Sequence, residues 1–479
     1  MDRTRLLPIY FYSTVCRPAA DILWAVAENQ PLHDWRAKKN RMTTLRSFAE
    51  YNSRFREFIN ASNPDAAGFN QLALALFALQ FAHVEPYRRL CLARRASPDK
   101  VIRWTEIPAI PTAAFKEFEV TSLSVEERTT VFHSSGSTLQ QPGRHYHNAE
   151  SLAIYEASLI PWFKVHLLPD PAPGGSNPNG VPLTRPPATL SPPGWERGET
   201  SSVQEKFGFV VLTPSPALAP HSSLAHMFGT VVRELGSPDS LFVGASHEPF
   251  TRSGVPAERR DSWEQQRAAL CRVAPTPGFM ERTGDDGAWS LDFTAALSAM
   301  RRASDAEQPV ALLGTAFSFV HLLDRLMAED IRFDLPPGSR AMETGGYKGR
   351  SRSLPRAELH ALITDWLGIP ASHIVCEYGM SELGSQAYDW QVGNAESETR
   401  TERGVFRFPR WARARIVSPE TGREVAEGET GLIQVYDLAN VRSVLAIQTE
   451  DLGVRRGDGF ELIGRASFAE PRGCSLMSL

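Results

Sequence analysis

A stretch of hydroxyl-bearing residues and glycine between Val131 and Thr138 has side chains well suited to hold an anion. It reads VFHSSGST, and Pro142-Gly143-Arg144 follows shortly after it. Small residues let the backbone approach a ligand, and hydroxyls with successive backbone N–H groups form a concavity that suits phosphate oxygens. The spacing fits neither GxxxxGKS nor GxGxxG, so the two common nucleotide fingerprints do not apply. Composition alone leaves two interpretations open, a phosphate site and an ordinary polar turn.

Two more polar turns follow predicted strands further along the chain. RAMETGG (340–346) runs into glycines, and the apolar strand His373–Cys376 runs into EYGMSE (377–382). Strand, glycine turn and helix alternate here at the spacing of βαβ units, which predicts a largely parallel sheet. Ligands bind at the carboxyl ends of strands in such sheets. We therefore expect the turns at 133–138, 344–348 and 377–382 to lie at such strand ends and to form one site.

The segments around these turns predict the elements that must position them. Apolar residues at helical spacing predict helices at 45–58, 69–93, 148–163, 317–328 and 356–367. The second of these is hydrophobic on most faces, which predicts a single long buried helix. Ile107–Pro111 is predicted to be an extended connector, because proline restricts both itself and its predecessor.

Changes in composition divide the chain into three parts. Residues 1–65 predict an N-terminal helical extension, and residues 66–403 an α/β core. Within the core, 168–204 is dense in proline, glycine and serine, which predicts a long mobile surface insertion. Short strands with turn signals over 404–479 predict a small antiparallel β unit.

Composition narrows the classes of function. A net charge of −4 and a pI near 6.3 give no basic footprint for nucleic acid. No apolar run approaches the roughly 20 residues that span a bilayer, and the N-terminal segment lacks the features of a signal peptide. The five cysteines are widely spaced, with no CxxC or Cys/His ligand pattern. The sequence thus predicts a cytoplasmic protein with reduced thiols.

Four motifs resemble those of the adenylate-forming enzymes, which include acyl-CoA synthetases and peptide-synthetase adenylation domains. EYGMSE (377–382) resembles their YGxTE motif, with serine in place of threonine, and HSSGST (133–138) is similar to their phosphate loop. TED (449–451) resembles their TGD motif, and Gly464-Arg465 their hinge-proximal GR. The four motifs occur in the expected order.

A closer resemblance, over approximately residues 65–479, is to the acyl-protein synthetases. That family is the fatty-acid-activating subunit of the reductase complex that supplies aldehyde to bacterial luciferase. ETGGYKG, EYGMSELGSQAY, GLIQVYDLANVRSVLAIQTEDLG and the C-terminal RGCSLM carry this resemblance. It implies the large α/β domain of adenylate-forming enzymes, with parallel and mixed sheets flanked by helices and a small C-terminal antiparallel β unit. The usual mobile C-terminal domain would be missing.

The resemblance also implies an activity. The protein would use ATP and Mg²⁺ to convert a fatty or aryl carboxylic acid to an acyl-adenylate. It would then transfer the acyl group to a thiol, either Cys474 in the C-terminal motif or a group on an acyl-carrier or reductase partner. The alternative is a divergent, non-catalytic module that binds a nucleotide or acyl ligand and regulates a partner.

Residue roles follow from the same resemblance. The phosphate-binding residues would be Ser134, Ser135, Gly136, Ser137 and Thr138, with Ser381 as a further phosphate contact. The adenosine would lie against Gly345, Gly346, Tyr378, Gly379 and Asp451. In this scheme Asp451 accepts hydrogen bonds from the ribose hydroxyls, and Glu382 supplies a hard oxygen ligand for Mg²⁺. Simple core packing for Tyr378 and a turn position for Asp451 are the competing interpretations.

Adenylation also needs a positive charge near the phosphates. In the adenylate-forming enzymes a lysine of the mobile C-terminal domain usually supplies it, and that domain is predicted to be missing here. Lys348, Arg144 and Arg465 are the candidates, and each could instead be a surface charge; Lys116 is a weaker one. His221 could close the acyl pocket or cap the following helix. Cys474 could be the acyl acceptor, with Arg465 and Arg472 favouring its thiolate, or an inert tail cysteine.

Overall fold

The computed structural model describes residues 45–61, 66–134, 141–168, 206–246, 289–345, 354–389, 391–392 and 404–466. The predicted N-terminal extension before Leu45, nearly all of the 168–204 insertion and the tail after Ala466 lie outside these ranges.

Helices and strands alternate along the described ranges. The helices are α1 Phe48–Asn60, α2 Ala66–His83, α3 Glu85–Ala93, α4 Ala114–Glu117, α5 Ala149–Leu167, α6 Ser223–Leu235, α7 Phe293–Asp305, α8 Ala316–Glu329 and α9 Arg356–Leu367. The first strands are β1 Ile110–Pro111, β2 Thr130–His133, β3 Arg144–His147, β4 Gly208–Pro214, β5 Leu241–Ser246, β6 Trp289–Leu291 and β7 Val310–Thr315. The others are β8 Arg340–Thr344, β9 Ile374–Tyr378, β10 Ala387–Tyr388, β11 Val405–Phe406, β12 Ala412–Val417, β13 Thr430–Asp437, β14 Ala446–Arg456 and β15 Gly459–Arg465.

The prediction of one long helix over 69–93 is wrong, because the chain bends by 108° between α2 and α3. Pro86 lies in the first turn of α3, where its missing N–H does no harm. Within a continuous helix it would remove a hydrogen bond and clash with the preceding turn. Among the described residues, no single helix is long and apolar enough to cross a membrane, although this bent pair meets the criterion when taken together.

The predicted parallel sheet is present. Its order in the described residues is β10-β9-β8-β7-β4-β5-β6, with parallel pairing throughout except at the two edges. Alternate strand residues face opposite sides, as a pleated strand requires. Leu212 and Leu312 pack with α7, α8 and α9, whereas Val211 and Leu313 pack with α5 and α6. Both faces are therefore buried, which explains the nearly continuous apolar runs of these strands.

One strand lies outside the predicted sheet. β2, which leads into the 133–138 turn, pairs antiparallel with β3 in a separate hairpin and does not join β8 and β9. The expectation that all three polar turns end strands of one sheet is thus correct for two of them. The error arose because RHYH, at β3, was not assigned as a strand, so its local pairing with β2 was overlooked.

The second half of the fold is an antiparallel sheet in the order β11-β15-β14-β13-β12, as predicted for this region. It has one unpredicted member: β1, within the supposed connector, pairs parallel with β14, Ile110 opposite Ile447. Residues of α1, α2 and α3 share a single hydrophobic core with this sheet. The N-terminal helices therefore cover the C-terminal sheet directly.

Candidate active site

The end of the β2–β3 hairpin is a tight contact between two strand ends. Ser134 and Gly143 exchange two hydrogen bonds of 2.9 Å, one from the Ser134 N–H to the Gly143 carbonyl and one from the Gly143 N–H to Ser134 Oγ. A Cβ at position 143 would lie 2.8 Å from Ser134 Oγ and 3.2 Å from Glu382 Oε1. Glycine at this position thus lets the Glu382 carboxylate reach the start of the predicted phosphate loop. The rest of that loop, Ser135 to Thr138, lies outside the described residues.

The turn after β9 is bound directly to this hairpin. Ser381 Oγ donates to the carbonyl of His133 at 3.0 Å and lies 3.2 Å from Ser223 Oγ at the start of α6. His145 Nδ1 lies 2.7 Å from the Ser381 carbonyl oxygen. Burial lowers the pKa of His145 to about 4, so its ring is neutral, and Nδ1 carries the proton because a carbonyl oxygen only accepts. The hairpin and the β9 turn therefore meet although they belong to different sheets.

Glu382 has the surroundings expected of a ligand for a hard cation. It is 3% exposed, and its Oε1 lies close to Gly143, which is hydrogen-bonded to Ser134. In the part of the chain that the structure describes, no group of three or more His, Cys, Asp or Glu side chains could hold a metal by itself. Mg²⁺ is commonly bound by only one or two carboxylates together with substrate phosphates. A single carboxylate beside a phosphate-loop candidate fits that mode of binding.

Tyr378 and Asp451 form a pair across the two sheets. The Tyr378 hydroxyl donates to Asp451 Oδ2 at 2.9 Å. Burial, and then the Asp451 charge, raise the pKa of Tyr378 well above its usual value, so the hydroxyl remains a donor. Asp451 lies within β14, opposite Arg465 of β15, so the competing interpretation as a turn residue is wrong. Arg465 Nε lies 3.9 Å from Asp451 Oδ1, and its side chain is half-exposed.

Two glycines of the predicted site, Gly345 and Gly379, differ in what a side chain at that position would meet. Gly345, directly after β8, has φ +69°, a conformation that L side chains rarely adopt. At Gly379 a Cβ would lie 2.3 Å from Glu377 Oε1, so a larger residue there would displace the Glu377 carboxyl. Gly346 falls outside the described ranges.

Glu377 is a buried site residue that the sequence analysis missed. Thr344, the last residue of β8, donates its hydroxyl to the Glu377 carboxyl. Burial raises the pKa of Glu377 to about 7, with the hydrogen bond from Thr344 acting against this shift and the Glu343 charge adding to it. A charged residue inside the apolar run IVCEY was the available signal.

Of the candidate cations, Arg144 and Arg465 are described, and Lys348 is not. Arg144 pairs with His133 in the hairpin, and its buried Nε has no hydrogen-bond partner among the described residues. Lys116 lies in the short helix α4, half-buried. Cys474 also lies outside the described ranges.

His221 does not cap α6. That role belongs to Ser222, whose Oγ accepts from the Ala225 N–H at 3.2 Å. The His221 ring instead stacks on His133, with ring centroids 4.7 Å apart. The other interpretation, a side chain that closes an acyl pocket, stays a prediction.

Polar turns that converge at the carboxyl ends of parallel strands define an α/β ligand-binding site. Within that class, residues 274–478 match the family described as acyl-protein synthetase, LuxE. The match covers less than half of the chain and confirms the resemblance drawn from the motifs.

Two curated relatives carry the name long-chain-fatty-acid–luciferin-component ligase. The protein from Aliivibrio fischeri is 26% identical over 199 residues, which is 39% of this chain and 49% of the relative. That from Vibrio harveyi is 24% identical over 196 residues, again 39% of this chain and 49% of the relative. The chain thus spans about half the length of the curated relatives it matches.

Two solved structures are also similar. A 2-hydroxyisobutyryl-CoA ligase in complex with 2-HIB-AMP and CoA has a TM-score of 0.48 at 13% identity, covering 84% of this chain and 69% of that one. ATP-bound MatB from Rhodopseudomonas palustris has a TM-score of 0.39 at 14% identity, covering 87% and 73%.

Proposed function

We propose that this protein is an ATP- and Mg²⁺-dependent enzyme that activates a fatty or aryl carboxylic acid as its acyl-adenylate and passes the acyl group to a thiol. The observation that carries the proposal is the contact between two separate motifs: the Glu382 carboxylate reaches the Ser134–Gly143 hairpin end. An acidic metal ligand and a hydroxyl-rich turn are the two groups that a triphosphate needs side by side.

The first step joins two anions. A carboxylate oxygen of the acid attacks the α-phosphorus of ATP, the bond to the β-phosphate oxygen breaks, and pyrophosphate leaves. Donors at residues 134–138 would stabilise the phosphate charge. Bound Mg²⁺ would neutralise part of that charge, with Glu382 as its protein ligand. The Tyr378–Asp451 pair would orient the adenosine, with Asp451 accepting from the ribose hydroxyls.

The second step forms a thioester. A thiolate attacks the acyl carbon, and AMP leaves with the oxygen that bridged the two groups. The acceptor is Cys474 or a thiol on an acyl-carrier or reductase partner. Because the two relatives are named long-chain-fatty-acid ligases, a long-chain fatty acid is the first substrate to test. The buried free thiols Cys91 and Cys376 fit a reducing compartment, and we place the enzyme in the cytoplasm.

Acid-dependent exchange of pyrophosphate into ATP tests the adenylation step. A panel of fatty and aryl acids should include at least one that drives exchange in the wild type and not in Glu382→Ala. Glu420→Ala, an exposed turn residue, is the matched control and should keep full activity. Silence across the panel, with no thermal shift on adding ATP, would overturn the proposal. Tight ATP binding without exchange, unchanged by Glu382→Ala, would favour the non-catalytic module.

Labelling identifies the acceptor. Radiolabelled acid with ATP should mark the wild type and Cys271→Ser, and should leave Cys474→Ser unmarked. Equal labelling of all three proteins would remove Cys474 from the mechanism and direct attention to a partner's thiol.

A further inference from the structure

The segment that carries Glu382 is held by a fully buried carboxylate to which the sequence analysis assigned no role. Asp437 ends β13. Its Oδ2 accepts from the Gly384 N–H at 2.7 Å, and its Oδ1 accepts from the Ser385 hydroxyl at 2.7 Å and from the Ala439 N–H at 3.0 Å. The carboxylate thus binds the chain two and three residues after Glu382 to its own turn.

The same turn also binds Glu382 itself. Asn440 Nδ2 donates to the Glu382 carbonyl oxygen at 2.8 Å. The approach is close, because a Cβ on Gly384 would lie 3.0 Å from the backbone carbonyl of Ala439. With His145 holding the Ser381 carbonyl on the other side, the backbone around Glu382 is fixed at residue 382, at the residue before it, and two residues after it.

The turn at residues 437–440 is itself anchored by the N-terminal helices. Gln80 of α2 donates to the Asn440 carbonyl at 2.8 Å and accepts from the Leu445 N–H at 2.8 Å. Tyr51 of α1 donates its hydroxyl to the Leu438 carbonyl at 2.9 Å. These bonds make the 437–440 turn a rigid support, and its side-chain bonds to Gly384, Ser385 and Glu382 transmit that rigidity to the candidate metal ligand.

We propose that Asp437, together with Asn440, is a positioning residue that orients the Glu382 carboxylate and thereby sets the affinity of the site for Mg²⁺ with ATP. This inference rests on the proposed function. Groups that orient a metal ligand without touching the metal typically change metal affinity or activity by about 10- to 100-fold when they are removed. Their removal raises the metal concentration that is needed for activity more than it lowers the rate at saturating metal.

The variant Asp437→Asn keeps the shape of the side chain but replaces one acceptor oxygen by an NH₂ group, which then faces the Gly384 N–H or the Ser385 hydroxyl. The Mg²⁺ concentration for half-maximal pyrophosphate exchange should rise roughly tenfold, with a smaller change in rate at saturating Mg²⁺. A second readout does not need turnover: the thermal shift produced by ATP should require correspondingly more Mg²⁺. Asn440→Ala should move both readouts in the same direction.

Tyr51→Phe is the matched control. It removes one hydrogen bond to the same turn and leaves the bonds to residues 382–385 intact. Because Gln80 still anchors the turn, Tyr51→Phe should lower the unfolding temperature without altering the Mg²⁺ requirement, whereas a general loosening of the turn would alter both.

These experiments distinguish a failure of the positioning role from a failure of the proposed function. A wild-type Mg²⁺ requirement in folded Asp437→Asn and Asn440→Ala would overturn the positioning role, as would an equal increase in Tyr51→Phe. If Asp437→Asn does not fold, Ser385→Ala, which removes only one donor to the carboxylate, takes its place in the same comparison. Failure of the wild type to exchange pyrophosphate at any Mg²⁺ concentration would instead overturn the proposed function.

Discussion

At the scale of single residues, Glu377 shows how a buried carboxyl can shape a site without belonging to a recognised motif. Its carboxyl occupies the space that a Cβ at position 379 would need, and it accepts a hydrogen bond from Thr344. The sequence identified Tyr378, Gly379 and Glu382 by their motif. A charged residue within an apolar run was a signal for Glu377, but its role could not be assigned, because the Thr344 hydroxyl that it binds lies on another strand, 33 residues away.

Glu377 predicts a dependence of stability on pH. Its pKa is about 7 in the folded protein and 4.5 as an ordinary glutamate, so between these values the folded state holds a proton that the unfolded chain has lost. The stability that this group contributes therefore falls as pH rises through that window. Glu377→Gln should match the wild type below pH 4.5 and exceed its free energy of unfolding by up to about 3 kcal/mol at pH 8. Urea unfolding at several pH values measures this, and parallel curves for the two proteins would contradict it.

Asp451 predicts a preference for ribose hydroxyls. Hydrogen bonds to a charged group contribute about 1.5–3 kcal/mol, so the wild type should use ATP at least about tenfold better, in kcat/KM, than an analogue lacking the hydroxyl that Asp451 is proposed to bind. Asp451→Asn should bind ATP more weakly. Its preference for ATP over the analogue, as the ratio of kcat/KM values, should be much smaller. Comparing kcat/KM for ATP with the values for 2′-deoxy-ATP and 3′-deoxy-ATP gives the answer. An undiminished preference in the variant would place the ribose elsewhere.

At the scale of elements, local pattern predicted most helices and strands, and long-range pairing explains the failures. Helix α9 begins and ends where the apolar spacing indicated. β1 lies in the segment that its prolines predict to be an extended connector, and two residues carry no strand periodicity of their own. Its partner Ile447 lies more than 300 positions away, beyond the reach of any local pattern.

The C-terminal end of α1 is held by Arg410, which comes from a distant part of the chain. Arg410 donates to the carbonyls of Ile59 and Ala61, at 2.5 Å and 2.6 Å, where the helix leaves its last backbone acceptors unpaired. Arg410→Ala should lower the free energy of unfolding by about 1–2 kcal/mol. Arg407→Ala, which breaks an exposed ion pair with Asp458, should cost less than about 1 kcal/mol. Equal losses in chemical denaturation would show that the helix end is not secured by Arg410.

At the scale of the whole molecule, the two sheets are joined where the candidate site lies. Ser381 contacts the hairpin, Tyr378 contacts β14, and the turn after β13 supports Glu382. Motif order along the sequence predicted that these segments would meet. It could not predict the side chains beneath them, because Gln80 and His145 come from parts of the chain that carry no motif, and Asp437 lies in a motif that indicates no role for it.

The central claim is that the carboxylic acid attacks the α-phosphorus of ATP. The most direct measurement uses the acid that drives exchange, labelled with ¹⁸O in its carboxylate, followed by mass spectrometry of the nucleotide after acyl transfer to a thiol. Activation as an acyl-adenylate predicts one ¹⁸O atom in the AMP released and none in inorganic phosphate. Production of ADP with ¹⁸O in inorganic phosphate would mean attack at the γ-phosphorus and would contradict the account.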